Sequence, residues 1–229
     1  MDEAAAVSFD FGQTLASLDP EMLAQRAAER GVELLAARVE AAEGEAWRAY
    51  NEAILGGAGG HPWKILMRRL LEVAGADPAR IEALVDWLWT EQPRRNLWRR
   101  PVRGMIELVR ELRRAGVPVA VLSNSEGHLE ELVAELGWSE LFVAVADSGK
   151  LGFEKPGREI FVWTAERLGA PLDRVVHIGD SMQADVRGAL GAGMRAVWFG
   201  GQPSEPLPAG AVHAADAAEV RAALGRWGL

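Results

Sequence analysis

Cysteine is absent from all 229 residues. That rules out disulfides and thiolate metal sites, and with them a disulfide-stapled extracellular scaffold. An excess of positive charge is missing too. Lys and Arg total 25 against 33 Asp and Glu, a net charge of −8, which argues against a polyanion such as nucleic acid as the main partner. No apolar run is long enough to cross a bilayer, so no membrane association is expected. Met1-Asp2-Glu3 is acidic and lacks the basic n-region and cleavage site of a secretory signal, so a cytoplasmic location is expected. Internal repeats and low-complexity tracts are also lacking. What remains is an ordinary globular composition, 49% hydrophobic and 25% charged, in a chain long enough for a larger and a smaller domain.

The pattern of periods divides the chain. Ala6 to Phe11 is a short apolar run ending in a Gly-containing turn, which reads as a buried strand. From Asp19-Pro20 to about Glu91 the pattern is helical, broken at Gly31, at Gly56–Gly60 and at Asp77-Pro78. Asp19 and Asp77 each precede a proline and read as N-caps with Pro at the first helical position. About four helices and no strand are expected there. After Arg99-Arg100-Pro101, strand and helix alternate. Strands are expected at 117–122, 142–146, 175–178 and 196–199, with a short one near Val212. Helices are expected at 102–115, 126–136, 158–168, 184–192 and 217–224, and Gly200 to Gly210 reads as a loop. Such alternation implies an α/β fold with a parallel sheet and helices on both faces. The first strand therefore belongs with residues 98–229, and a helical block at 17–97 interrupts the core, with hinges near Ser17 and Arg94–Arg100. Ligands in such sheets sit beyond the carboxyl ends of the strands. Asp10, Ser123 and Asp180 each fall at or just past such an end.

Four segments carry the chemistry: Asp10-Phe11-Gly12-Gln13-Thr14-Leu15, Ser123-Asn124, Lys155-Pro156, and Gly179-Asp180-Ser181-Met182-Gln183-Ala184-Asp185. Singly each has an ordinary explanation. An Asp after a strand caps a turn, Ser-Asn makes a turn, and a lone Lys is solvated surface. Together and in this order they resemble the four signature motifs of the haloacid dehalogenase-like (HAD) hydrolase superfamily, most of whose members transfer phosphoryl groups to an aspartate with Mg2+ assistance. The resemblance spans the whole chain. It implies a Rossmann-like core of residues 1–16 and 98–229 and an all-helical cap at 17–97. It assigns Asp10 the in-line attack on phosphorus, and Thr14 an orienting hydroxyl. Ser123 and the backbone N–H of Asn124 would hold the phosphate, and Lys155 would neutralise the phosphoryl oxygens and the nucleophile. Asp180 would ligate Mg2+ directly and Asp185 directly or through water, with Asp10 and the Gly12 carbonyl completing the protein ligands. Oxygen-only ligation with several retained waters suits Mg2+. Three carboxylates without a cation would repel and raise one another's pKa.

One position departs from the family pattern. Phosphatases of the superfamily carry a second Asp two residues after the nucleophile, which serves as general acid and base, and here that residue is Gly12. Such a group contributes about 10²–10⁴ in rate. Gln13 cannot replace it, because an amide does not titrate. Three readings stay open. The first is a Mg2+-dependent phosphatase acting on a small phosphorylated molecule, slow, suited to good leaving groups, or given its acid/base by the cap. His61 and Lys64, after Gly56–Gly60, are the candidate cap residues, as phosphonate-cleaving members lack the second Asp and use a cap lysine. The plain alternative for that segment is a helix connection. The second reading is a non-catalytic relative that binds a phosphorylated ligand or a protein partner. The third is a haloacid dehalogenase, whose leaving halide needs no proton; those enzymes carry an aromatic residue at the Gly12 position. His177 reads as a satisfied core histidine, the nine tryptophans as packing residues, and Arg94, Arg95, Arg99 and Arg100 as a solvated cluster. Substrate identity and oligomeric state are not written in any motif.

Overall fold

A computed structural model describes residues 5–55, 62–201 and 206–229. The chain forms two compact units, Met1–Leu18 with Trp98–Leu229, and Asp19–Leu97. The first unit begins with β1 (Ala6–Phe9) and β2 (Ala16–Leu18). The second comprises α1 (Pro20–Glu29), α2 (Ala36–Leu55), α3 (Pro62–Ala74) and α4 (Pro78–Glu91). The chain then returns through β3 (Trp98–Pro101), α5 (Met105–Arg114), β4 (Val119–Ser123), α6 (Leu129–Glu135), β5 (Ala144–Asp147) and α7 (Ser148–Leu151). It ends with α8 (Arg158–Leu168), β6 (Val175–Gly179), α9 (Gly188–Ala192), β7 (Arg195–Phe199), β8 (Ala211–Ala214) and α10 (Ala217–Gly225). No helix of the described residues is long and apolar enough to cross a membrane.

Six strands form one sheet in the order β5-β4-β1-β6-β7-β8, every pairing parallel. β1, β4 and β6 are buried along their whole length, which is why they read as nearly unbroken apolar runs. On one face, Ala6, Ala120, Leu122 and Ala146 pack against Ile160, Phe161, Ala165 and Leu168 of α8 and Ala189 and Ala192 of α9. Alternation along the strands turns the equally buried Val7, Phe9, Val119 and Val121 to the opposite face. Burying each of Phe9 and Phe161 contributes about 1.5–3 kcal/mol. The order reverses at β1, whose chain continues to β4 on one side and reaches β6 on the other. That topology opens a crevice at the carboxyl ends of these three strands.

In the helical unit, Asp19 accepts from the N–H groups of Glu21 and Met22 and Asp77 from Ala79, each with Pro next in the chain, as the capping pattern predicts. Leu66, Met67, Leu70 and Leu71 of α3 and Leu84, Val85 and Leu88 of α4 are buried.

Several boundaries differ from the sequence expectation. β2 and β3 pair antiparallel, so the helical unit starts at Asp19 rather than at residue 17. α6 starts at Leu129, not Glu126, because the Asp147 carboxylate takes the N–H groups of Gly127 and Leu129 and bends the preceding chain around itself. The expected helix at 184–192 is a π-turn, Met182–Arg187, followed by α9. Within the loop from Gly200 to Gly210, residues 202–205 lie outside the described residues.

Candidate active site

The crevice at the switch point gathers the polar residues that follow three adjacent strands. Asp10 follows β1 and is tied by its N–H to the Ile178 carbonyl at 2.8 Å. Ser123 ends β4, and Asp180 follows β6. Lys155 reaches the same point from the segment before α8. Its Nζ donates to Asp10 Oδ1 at 2.6 Å, Asp185 Oδ1 at 2.6 Å and the Leu122 carbonyl at 3.0 Å. An ammonium has three donors, and all three are used. The Asn124 side chain fixes the base of this lysine, accepting from the Lys155 N–H at 2.8 Å and donating to its carbonyl at 2.9 Å.

Electrostatics inside the crevice are lopsided. Asp10, Asp180 and Asp185 each offer an oxygen, all within 4.8 Å of one another. Fully ionised, they exceed Lys155 by two negative charges, the charge of one divalent cation. Burial raises the pKa of Asp10 against the pull of Lys155. Burial also pushes Asp180 well above the usual carboxylate range, and the charges of Asp10 and Asp185 add to it. Asp185 goes the other way: burial would raise it, but Lys155 and His177 hold it below its ordinary value. Lys155 keeps its proton more firmly than usual, because the two carboxylates outweigh the penalty of burial. Two carboxylates poised to take up protons beside a third fixed as an anion form a site that fits a cation with oxygen ligands. Gly179 lets Asp185 approach, since a methyl group there would overlap the Asp185 carboxyl carbon.

A pH dependence follows. Asp180 has a folded-state pKa above its unfolded value of 3.8, so the folded chain binds more protons than the unfolded chain between those values. Its contribution to stability is therefore lost as pH rises through the folded pKa and regained as pH falls. A bound cation competes with that proton. Any rise in Tm that Mg2+ produces is expected to shrink as pH is lowered from neutral to mildly acid. Thermal melts with Mg2+ or a chelator check this; an increment that grows as pH falls over that interval contradicts it.

The loop after Asp10 has its own geometry. A Cβ on Gly12 would meet Trp98 Cδ1 at 3.6 Å and Nε1 at 3.7 Å, ordinary contact distances. Gly12 does not occupy the left-handed region, whereas Gln13 does, with φ of 58°. The buried Nε2 of Gln13 and Oγ1 of Thr14 have no hydrogen-bond partner among the described residues.

Residues 4–193 match the family model of the haloacid dehalogenase-like hydrolases. The chain belongs to that family. Among its relatives, a phosphoserine phosphatase of Thermus thermophilus is 31% identical over 181 residues, covering 76% of this chain and 71% of the relative. A glyceraldehyde 3-phosphate phosphatase of Methanopyrus kandleri is 31% identical over 201 residues, covering 82% and 81%. The HAD-hydrolase YfnB of Bacillus subtilis, solved bound to magnesium, superposes with a TM-score of 0.69 at 22% identity, covering 97% and 99%.

In this HAD hydrolase, the structure brings Asp10, Gly12, Ser123, Asn124, Lys155, Asp180 and Asp185 to one end of the core sheet, with Thr14 fully buried in the loop beside them. Asn124 spends its side chain on Lys155, which leaves its backbone N–H for other partners. Lys64 lies in the helical unit, in an ion pair with Asp86 at 2.7 Å; His61 lies outside the described residues. The arginine cluster departs from the solvated reading. Arg95 pairs with Glu29, Arg99 with Glu135, and Arg100 with Ser17 Oγ, while Arg94 is exposed. Sequence reasoning missed the buried Asp147, which accepts from Ser125 Oγ and three backbone N–H groups and shapes the loop after Ser123. Its signal was available: like β1 and β6, β5 leads into an Asp at its carboxyl end. His177 is buried and hydrogen-bonded as expected, but one of its partners is Asp185.

Proposed function

We propose that this HAD hydrolase is a Mg2+-dependent phosphatase that cleaves a small phosphorylated metabolite through an aspartyl-phosphate on Asp10. The observation that carries this reading is the Asp10–Lys155–Asp185 cluster, with Asp180 beside it, at the carboxyl end of β1. Asp10 has one oxygen engaged by Lys155, which leaves the other available to attack phosphorus. The Lys155 ammonium offsets charge on the nucleophile and on the transferring oxygens, where fixed positive charge is most effective. Ser123 and the Asn124 N–H hold the phosphoryl group in line. Asp10, Asp180 and the Gly12 carbonyl would hold Mg2+, which when bound neutralises the phosphate and orients it. Asp185, already bonded to Lys155, would hold the ion directly or through water. The relatives named as phosphatases support the reaction class, and the helical unit Asp19–Leu97 would serve as the cap.

Gly12 limits this reaction, because nothing at that position can protonate the leaving oxygen. Substrates with good leaving groups are therefore favoured. The same feature supports a second reading, a relative that binds phosphorylated ligands without turning them over. Lys64 as a substitute acid must first leave Asp86. A phosphate-ester screen with and without Mg2+ separates the readings: Mg2+-dependent release of phosphate supports the first, and binding of Mg2+ and beryllofluoride without turnover supports the second. Asp180→Ala is expected to weaken Mg2+ binding by about 100-fold or more, beyond the 10–100-fold typical of outer-shell partners. Full activity in excess chelator contradicts the metal dependence.

A further inference from the structure

Ser8 and His177 are polar residues in the middle of an apolar sheet, and the proposed phosphoryl transfer uses neither directly. Both are fully buried, at 0% exposure, and they face each other across β1 and β6 as a register pair. Ser8 Oγ lies 2.9 Å from His177 Nδ1, and Nε2 of the same ring lies 3.0 Å from Asp185 Oδ1. Phe161 stands edge-on to the imidazole at 5.4 Å between centroids, which confines the ring. A buried polar pair is costly unless its hydrogen bonds are made, and here they run in one direction.

A carboxylate only accepts, so Nε2 carries the proton that faces Asp185. In the neutral ring Nδ1 is then an acceptor, and the Ser8 hydroxyl donates to it. Asp185 Oδ1 thus receives two donors, Lys155 Nζ and His177 Nε2, while Oδ2 receives the Ser181 N–H at 2.9 Å. Of about four acceptor positions on a carboxylate, three are taken, and the remaining capacity lies on Oδ2. The hydrogen bonds run from Ser8 through His177 to Asp185, which shares Lys155 with Asp10.

We propose that Ser8 and His177 are positioning residues that hold Asp185 in the orientation in which it anchors Lys155 and presents a single oxygen to the metal site. This rests on the Mg2+-dependent phosphoryl reading of that site. Ser8 sets the tautomer of His177. His177 in turn stops Asp185 from rotating about its Cα–Cβ bond and drawing Lys155 away from Asp10. Outer-shell partners of this kind are worth 10–100-fold in metal affinity in general.

The test compares wild type with His177→Phe, His177→Gln, Ser8→Ala and the double Ser8→Ala/His177→Phe. It reads the calorimetric Kd for Mg2+, Mg2+-dependent binding of beryllofluoride, and Tm. His177→Phe keeps a ring and should weaken Mg2+ by about 10–100-fold. His177→Gln restores an N–H donor and should stay within about fivefold of wild type, whereas a space-filling role predicts that Gln does no better than Phe. Ser8→Ala should weaken Mg2+ by about three- to tenfold, and the double variant should match His177→Phe, because Ser8 acts only through the ring. The double variant replaces both partners with apolar groups, so it also serves if His177→Phe alone fails to fold. Wild-type Mg2+ affinity in a folded His177→Phe or double variant overturns the inference, as does a Gln variant as weak as Phe. A wild type that binds Mg2+ and beryllofluoride while the variants are unaffected sinks this inference alone. A wild type that binds neither sinks the phosphoryl reading and this inference with it.

Discussion

Asp10→Asn is expected to lower phosphate-ester turnover by a factor on the order of 10⁴ or more while leaving the fold intact. The amide matches the carboxylate in shape, and its carbonyl oxygen can still accept from Lys155, which sits 2.6 Å away. What it lacks is the charged oxygen that attacks phosphorus. Substitution also removes one negative charge from a buried group of three. That should leave the metal-free protein no less stable than wild type, because burial already disfavours the ionised Asp10. Turnover on p-nitrophenyl phosphate and a thermal melt check both parts. Near-wild-type turnover in the variant excludes Asp10 as nucleophile.

Restoring the missing acid should have the opposite sign. Gly12→Asp is expected to raise turnover by about 10²–10⁴ on esters with poor leaving groups, and least on p-nitrophenyl phosphate. Leaving-group protonation matters in proportion to leaving-group basicity, and the contacts to phosphate and metal are unchanged. The backbone at position 12 accepts a Cβ without strain. Gly12 lies outside the left-handed region, and an added Cβ meets the Trp98 ring at 3.6 Å, ordinary van der Waals contact. His61→Ala and Lys64→Ala in the wild type test the cap as donor. If either cripples the enzyme and Gly12→Asp partly rescues it, the cap supplies the proton. Unchanged turnover in all three variants means that neither the cap nor position 12 limits the reaction. Absent turnover in all of them, Gly12→Asp included, favours the binding reading.

The parallel core was legible because β1, β4 and β6 are buried on both faces and so read as apolar runs. Helix 158–168 was legible to the residue, bracketed by Gly157 and by Gly169 in the left-handed conformation. β2 and β3 were not, since three- and four-residue strands carry no usable period. Glu126 is a good helix former, yet tertiary bonds to Asp147 overrode it. The π-turn at Met182–Arg187 shares its apolar spacing with an ordinary helix, so pattern alone could not separate them. The four motifs named the residues that meet at the crevice. The bond from His177 to Asp185 was not legible, because it joins a strand residue to the π-turn beyond the strand. The clamp of Asn124 on Lys155, 31 residues apart, was equally hidden.

Without a carboxylate at Gly12, the water that hydrolyses an aspartyl-phosphate lacks its general base, so the covalent species should outlive its formation. The most direct test is to mix the wild type with Mg2+ and acetyl phosphate, whose leaving group needs no acid, and follow the intact protein and its peptides by mass spectrometry. The account predicts a single phosphoryl adduct on Asp10, absent in chelator and absent in Asp10→Asn. An unmodified Asp10 in protein that nevertheless releases phosphate with Mg2+, or an adduct at another residue, contradicts it.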